Sequence, residues 1–272
     1  MSIGSPTRGF IRLLLYAAWT LPMMPLQGLM VLLRIRPLYR WLPVIYHKVV
    51  CYILGIRIEI YGRPSSATPT LFVGNHVSYL DVEVLSSILP VSFIAKSEVA
   101  DWPLFGWLAK LQRTVFIVRR RGATRAGRDD IQRRLDAGDD LVLFPEGTSG
   151  DGTRVLPFRS SLLGATQMRH GRDPVPVQPV TIAYARLDGI PVGRLCRPFF
   201  TWFGDMELAP HLWNMMALGE VAAVVVFHET VDIDRLGDRK KLTEHCFRTI
   251  SRATQAINRG RYDELPPRVA AA

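Results

Sequence analysis

Cysteine is scarce in this chain of 272 residues, and the three present, Cys51, Cys196 and Cys246, are widely separated. That excludes a disulfide framework and any Cys-x-x-Cys zinc or redox site, and it fits a reducing compartment. Two catalytic signatures are each incomplete. Gly147-Thr148-Ser149-Gly150 falls one residue short of a Gly-x-Ser-x-Gly nucleophile elbow. His228-Glu229 is followed by Asp232, where a His-Glu-x-x-His zinc site needs a second histidine. Acidic residues are also in deficit, with 24 Asp and Glu against 34 Lys and Arg, a formal net charge of +10. An excess of this sign favours an anionic partner, whether nucleic acid, membrane surface or acidic substrate. No internal repeat or low-complexity tract stands out. Hydrophobic residues at 48% and charged residues at 21% are close to globular averages and exclude disorder of the whole chain. A mean hydropathy of +0.12 is slightly apolar for a soluble enzyme, yet too low for a multi-span transporter.

What is present begins with an apolar N-terminus. Leu13 to Leu33 carries no charge and is bracketed by Arg8 and Arg12 before it and Arg34, Arg36 and Arg40 after it. A run of about 20 residues is long enough to cross the hydrocarbon core. Pro22 and Pro25 interrupt its middle, with Gly28 close behind, and each proline removes a helical hydrogen bond. The expectation is therefore two short helices dipping into one leaflet. From Pro37 to Leu54, residues Leu38, Trp41, Leu42, Ile45, Val49 and Ile53 recur at helical spacing, with aromatic residues suited to the membrane interface. No small-x-small cleavage site follows, which argues against a signal peptide.

After Gly55 the pattern changes to short β-branched runs. Strands are expected at Arg57–Tyr61, Thr70–Gly74, Val91–Ala95, Val115–Val118, Leu141–Phe144, Val177–Ala183 and Val221–Phe227. Helices are expected near Tyr79–Leu89, Thr124–Ala137, Phe158–Met168 and Lys240–Asn258. Such alternation indicates an α/β fold, a sheet flanked by helices, with ligands gathered at loops beyond the strand ends. The division expected is a membrane-associated helical segment over 1–54 and one catalytic domain over 55–272.

Three clusters can carry chemistry. After the strand ending at Gly74 come Asn75, His76, Val77, Ser78, Tyr79, Leu80 and Asp81. On one continuous helix His76 and Asp81 would lie about 140° apart. They meet if His76 sits on the turn and Asp81 in the first helical turn. A carboxylate on one imidazole nitrogen leaves the other free to take a proton. Ser78-x-x-Asp81 also reads as an ordinary capping box. The second cluster, Phe144-Pro145-Glu146-Gly147-Thr148-Ser149-Gly150-Asp151-Gly152, closes a buried strand with a carboxylate and a glycine-rich turn. Such turns can present amides to an oxygen anion, and a surface turn with an acidic tip is the plain alternative. The third is basic: Lys96, Arg119 to Arg121, Arg154 and Arg159. An arginine fork suits phosphate or carboxylate.

Asn75-His76-x-x-x-x-Asp81, Phe116-Ile117-Val118-Arg119, Phe144-Pro145-Glu146-Gly147-Thr148 and Val175-Pro176-Val177-Gln178-Pro179 occur in the order of four motifs of one family. In these the chain resembles the glycerophospholipid acyltransferases, in particular bacterial 1-acylglycerol-3-phosphate acyltransferases, over roughly Leu54 to Phe227. The resemblance implies a glycerolphosphate acyltransferase-like fold behind a membrane-embedded helical segment. It implies His76 as base with Asp81 behind it, and Arg119, Glu146, Gly147 and Thr148 at the acceptor. No cofactor and no metal are expected, only acyl carrier protein or coenzyme A as the thioester carrier. The expected partners are an anionic membrane surface and a lysolipid, without nucleic acid, at the inner membrane with the catalytic domain facing the cytoplasm. The expected acceptor is 1-acylglycerol-3-phosphate. Two positions depart from the pattern: Gln112-Arg113-Thr114 stands where a glycine usually opens the second motif, and Ser149 where arginine often follows the third. The stretch Phe-Pro-Glu-Gly-Thr-Ser-x-Asp-Gly resembles the lyso-ornithine lipid acyltransferase branch, which makes that lipid the alternative acceptor. A non-enzymatic basic adaptor for membrane surfaces would explain the charge but not the paired His76 and Glu146 motifs.

Overall fold

The computed structural model describes residues 4–117 and 124–269. Helix α1 runs unbroken over Pro6–Leu32 with Pro22 and Pro25 inside it, and α2 over Arg36–Leu54 with Pro43 inside it. The two short helices expected from the prolines are thus one. Each proline forfeits a single backbone bond, while in apolar surroundings the remaining bonds have no competing partner in water. Packing also holds the helix at both ends. The Ser5 amide donates to the Ala217 carbonyl at 2.9 Å, and Arg12 donates to the carbonyls of Met216, Leu218 and Gly219. Further along, Gln27 Nε2 donates to the carbonyls of Tyr39 and Leu111. The apolar stripe of α2 faces outward at Leu38, Trp41 and Ile45, whereas Tyr46, His47, Val50 and Leu54 are buried against the rest of the protein.

Gly55, at φ 72°, closes α2 and turns the chain into the sheet. The strands are β1 Ile56–Tyr61, β2 Leu71–Gly74, β3 Ser92–Lys96, β4 Val115–Ile117, β5 Leu141–Leu143, β6 Arg169–His170, β7 Asp173–Pro174, β8 Val177–Leu187, β9 Ile190–Pro191, β10 Val221–Phe227 and β11 Arg268–Val269. Between and after them come α3 Leu80–Ile88, α4 Phe105–Leu111, α5 Thr124–Asp136, α6 Leu208–Ala217, α7 Ile233–Leu236 and α8 Arg239–Asn258. The main sheet has the order β11-β1-β10-β8-β2-β5-β3-β4, with β9 paired to β8. From β8 to β4 neighbouring strands are parallel, while β10 runs antiparallel to β8. Alternation along β2 sends Phe72 to one face and Leu71 and Val73 to the other. The first face lies under α2, α3 and α6, and the second packs on Ile131 and Leu135 of α5 and Leu242 and Cys246 of α8. This is an α/β fold, a mixed sheet covered on both sides.

The expected helix near Phe158–Met168 is only a 3-10 segment, Leu162–Gln167. Gly164 lies inside that stretch and Ser160 and Ser161 before it, three residues that weaken an α-helix at so short a length. Three helices, α4, α6 and the short α7, have no counterpart among the expectations. β2 and β5 are parallel neighbours, with Leu71 opposite Leu141 and Val73 opposite Leu143. Their exits therefore deliver the His76 turn and the Glu146 turn to one edge of the sheet, the place where open parallel sheets bind ligands.

Candidate active site

His76 occupies the loop leaving β2, and Asp81 lies in the first turn of α3. Their side chains meet, with Nδ1 of His76 2.8 Å from Oδ2 of Asp81. Asp81 is fully buried, and three more donors converge on it. The amides of Val77 and Ser78 donate to Oδ2 at 2.8 and 3.0 Å, and the Tyr184 hydroxyl donates to Oδ1 at 2.9 Å. Burial first, and then the Asp81 charge, push the Tyr184 phenol well above its ordinary value, so it remains a donor. Together with His76 these contacts fix the carboxylate in place, and an acceptor already met by three donors takes a fourth from the ring. Nδ1 must then carry the proton, which leaves Nε2 of His76 with its lone pair. Among the described residues nothing bonds Nε2, and the His76 side chain keeps 24% of its surface open. The ring also lies flat on Phe144, with centroids 4.3 Å apart. Only half of the capping-box reading is realised: Asp81 accepts the Ser78 amide while it orients the histidine, but the Ser78 hydroxyl is buried with no partner among the described residues.

Glu146 builds the other half. It is buried, with Oε1 accepting the His76 amide at 2.9 Å and Oε2 the Leu156 amide at 3.0 Å. Burial pushes its carboxyl up to about 8 against the pull of those two amides. Glu146 thus clamps the backbone of the histidine loop to the glycine-rich turn, and the Gly150 amide closes the clamp by donating to the His76 carbonyl at 2.8 Å. Gly147 is buried at φ 73°, a conformation that a side chain would strain, while Thr148 is exposed. The Ser149 hydroxyl donates to the Trp202 carbonyl, and the Trp202 amide donates to the Val77 carbonyl at 2.9 Å. Arg154 and Arg159 are exposed beyond the turn. Arg119, expected at the acceptor, lies outside the described residues.

Sequence reasoning missed Tyr184. Asn75 holds it in register by bonding both the amide and the carbonyl of Ile182, which extends the β2–β8 pairing past Gly74. Two residues on, Tyr184 lies on the same face as Ile182 and reaches Asp81. The available signal was a hydroxyl-bearing side chain in the inward alternation Val180, Ile182, Tyr184. Tyr184→Phe should lower turnover about tenfold while leaving KM nearly unchanged, because the lost bond orients Asp81 and touches no substrate. Steady-state kinetics with a melting curve check this, and a raised KM at constant turnover would contradict it.

Beside the histidine lies an apolar cavity of about 170 Å³, walled by α1, α2, α3, α4 and β3. Met23, Tyr46, Tyr79, Phe93, Phe105 and Leu108 are among the residues facing it. Phe93 stacks on Phe144, which in turn carries the His76 ring, so the cavity and the base share one aromatic wall. Its mostly apolar lining suits a hydrocarbon chain.

The geometry can be set beside known proteins. A family model described as Acyltransferase matches residues 57–183. A lyso-ornithine lipid O-acyltransferase from Brucella abortus is 43% identical over 263 residues, covering 95% of this chain and 97% of its own. The chain belongs to the acyltransferase family. It is an acyltransferase whose relatives act on lysolipids. One from Rhizobium meliloti, also a lyso-ornithine lipid O-acyltransferase, is 42% identical over 89% of this chain and 84% of its own. A 1-acyl-sn-glycerol-3-phosphate acyltransferase from Neisseria gonorrhoeae is 30% identical over 70% of this chain and 72% of its own. In fold, the 1-acyl-sn-glycerophosphate acyltransferase of Thermotoga maritima superposes with a TM-score of 0.65 at 20% identity, covering 92% of this chain and 97% of that one.

Proposed function

We propose that this acyltransferase esterifies the hydroxyl of lyso-ornithine lipid, using an acyl thioester and His76 as general base. The observation that carries the mechanism is the placement of His76, with Nδ1 2.8 Å from Asp81 and Nε2 open. Nε2 takes the proton of the acceptor hydroxyl as its oxygen attacks the thioester carbonyl. The tetrahedral oxyanion collapses, the carbon–sulfur bond breaks, and the leaving thiolate takes the proton back from Nε2. Asp81 stabilises the imidazolium between the two transfers. No acyl-enzyme forms, and no metal or cofactor enters. The thioester is carried by acyl carrier protein or coenzyme A, and its chain lies in the cavity under Phe93.

Two observations support the ornithine acceptor over 1-acylglycerol-3-phosphate. The relatives that match nearly the whole chain at 42–43% identity are named for it. Ser149, standing where an arginine could meet a phosphate, turns its hydroxyl to a backbone carbonyl. A competition assay supplying both lysolipids at equal concentration, read by lipid mass spectrometry, tests the choice. Preference for lyso-ornithine lipid is expected, and preference for the phosphate substrate overturns it.

The enzyme is membrane-associated, with α1 lying in one leaflet of the inner membrane and the catalytic domain facing the cytoplasm. Because both ends of α1 bond to the α/β part, this helix of 27 residues runs along the protein instead of projecting from it. Phe10, Leu14, Leu21, Leu29 and Leu32 stay exposed. Such attachment is mainly apolar, and salt screens only exposed charge. Washing membranes with high salt should therefore leave the protein in the pellet, as an immunoblot would show. Release by salt alone would contradict the embedded helix.

A further inference from the structure

Helix α4 has two unlike sides. Phe105, Leu108 and Leu111 face the cavity, and the Leu111 carbonyl accepts Gln27 Nε2 of α1 at 3.1 Å. Outside the cavity lining, Trp107 is 65% exposed and Leu104, just before the helix, 44% exposed. Lys110 places its ammonium 5.3 Å from the Trp107 ring centre. An indole with a lysine alongside is the pairing favoured at the level of lipid headgroups, where the ring sits among acyl chains and the ammonium stays in water. The neighbouring helix supplies more of the same surface. Gly28 of α1 lies against Leu111, and a Cβ added there would stand 3.7 Å from its Cδ2. On either side of that contact α1 exposes Leu26 and Leu29.

We infer that α4 is a third membrane-contact element, with Leu104 and Trp107 entering the same leaflet as α1 and α2. This rests on the reading of the protein as a membrane-associated lysolipid acyltransferase. The cavity is walled jointly by α1 and α4, so a leaflet covering both helices lets chains pass between bilayer and cavity without crossing water. The occupant of this surface is an anionic leaflet. Exposed Arg8, Arg34 and Lys48 on α1, its C-terminal turn and α2 join Lys110 in presenting positive charge beside the apolar side chains. A chain of net charge +10 has the sign such a surface requires.

The test uses the full chain bound to vesicles of phosphatidylcholine and phosphatidylglycerol with bromines on the upper acyl chain. The fluorescence of Trp107 is taken as the difference between wild type and Trp107→Phe. Strong quenching of that difference signal is expected, and an unquenched signal from vesicle-bound protein overturns the proposal, including the case in which a second copy of the chain covers the face. In parallel, Leu104→Glu and Trp107→Glu should lower acyl transfer to vesicle-borne lysolipid about tenfold while staying within twofold of wild type in detergent micelles. Equal loss in both media, or loss in neither, overturns it. If wild type itself transfers no acyl group in either medium, the proposed function fails while the quenching measurement still decides the membrane contact.

Discussion

His76→Ala is expected to lower turnover by about 10²–10⁴-fold, the usual contribution of a positioned general base. The fold should survive. The bonds of His76 to Glu146 and Gly150 run through its backbone and persist in alanine. Asp81 keeps three of its four donors. What disappears is the single nitrogen able to take the proton of the acceptor hydroxyl, together with the ring stacked on Phe144. Product formation read by mass spectrometry, beside a thermal melt of the same preparation, separates lost chemistry from lost structure. Turnover near wild type in a folded variant would remove His76 from the mechanism.

Asp81→Asn should fall by a similar factor for a different reason. The wild-type carboxylate already accepts from Val77, Ser78 and Tyr184, an arrangement that suits a proton on Nδ1 of His76. An asparagine amide that turned its nitrogen toward His76 would donate to Nδ1 and move the imidazole proton to Nε2, where it blocks the base. The same rotation leaves the amides of Val77 and Ser78 facing a donor, so stability also drops, by roughly 1–3 kcal/mol for each buried donor left unpaired. The alternative rotamer keeps those amides but gives the imidazolium a neutral partner. Both cut turnover, and only the first lowers the melting temperature strongly. Kinetics and melting measured on one sample distinguish them. Full activity in this variant would reduce Asp81 to a helix cap.

Much of the site could be read from the chain because its parts are local. His76 and Asp81 are five residues apart and joined by one turn, and the Glu146 stretch announces itself through a buried strand that ends in proline, glutamate and glycine. The parallel pairing of β2 and β5 that brings these two loops together follows from alternating strands and helices. Other features depend on contacts that no local pattern encodes. Tyr184 reaches Asp81 across more than a hundred residues, and its register depends on the side chain of Asn75. Glu146 has a structural part that the pattern does not announce. An acidic residue in a glycine-rich turn reads as a ligand for substrate, and the structure adds that each of its oxygens holds a backbone amide, that of His76 from a distant loop. Pro22 and Pro25 promised a break that α1 does not show, because tertiary bonds at Ser5, Arg12 and Gln27 fix the helix along its length. Helix α4 is hard to read because its seven residues start just after Pro103 and include Gly106, both signals of a loop.

The central claim, direct transfer of an acyl group to a lysolipid hydroxyl with His76 as base, is tested most directly by one mass-spectrometric experiment. Purified protein is mixed with lyso-ornithine lipid and an acyl thioester labelled in its acyl chain, and lipid and intact protein are weighed from the same quenched samples. The account predicts that label appears in diacylated lipid from the first turnover, that the protein mass never rises by one acyl group, and that His76→Ala lowers the rate of lipid labelling by about 10²–10⁴-fold. Labelled protein appearing before labelled lipid, or thioester consumed with no acylated lipid formed, would contradict it.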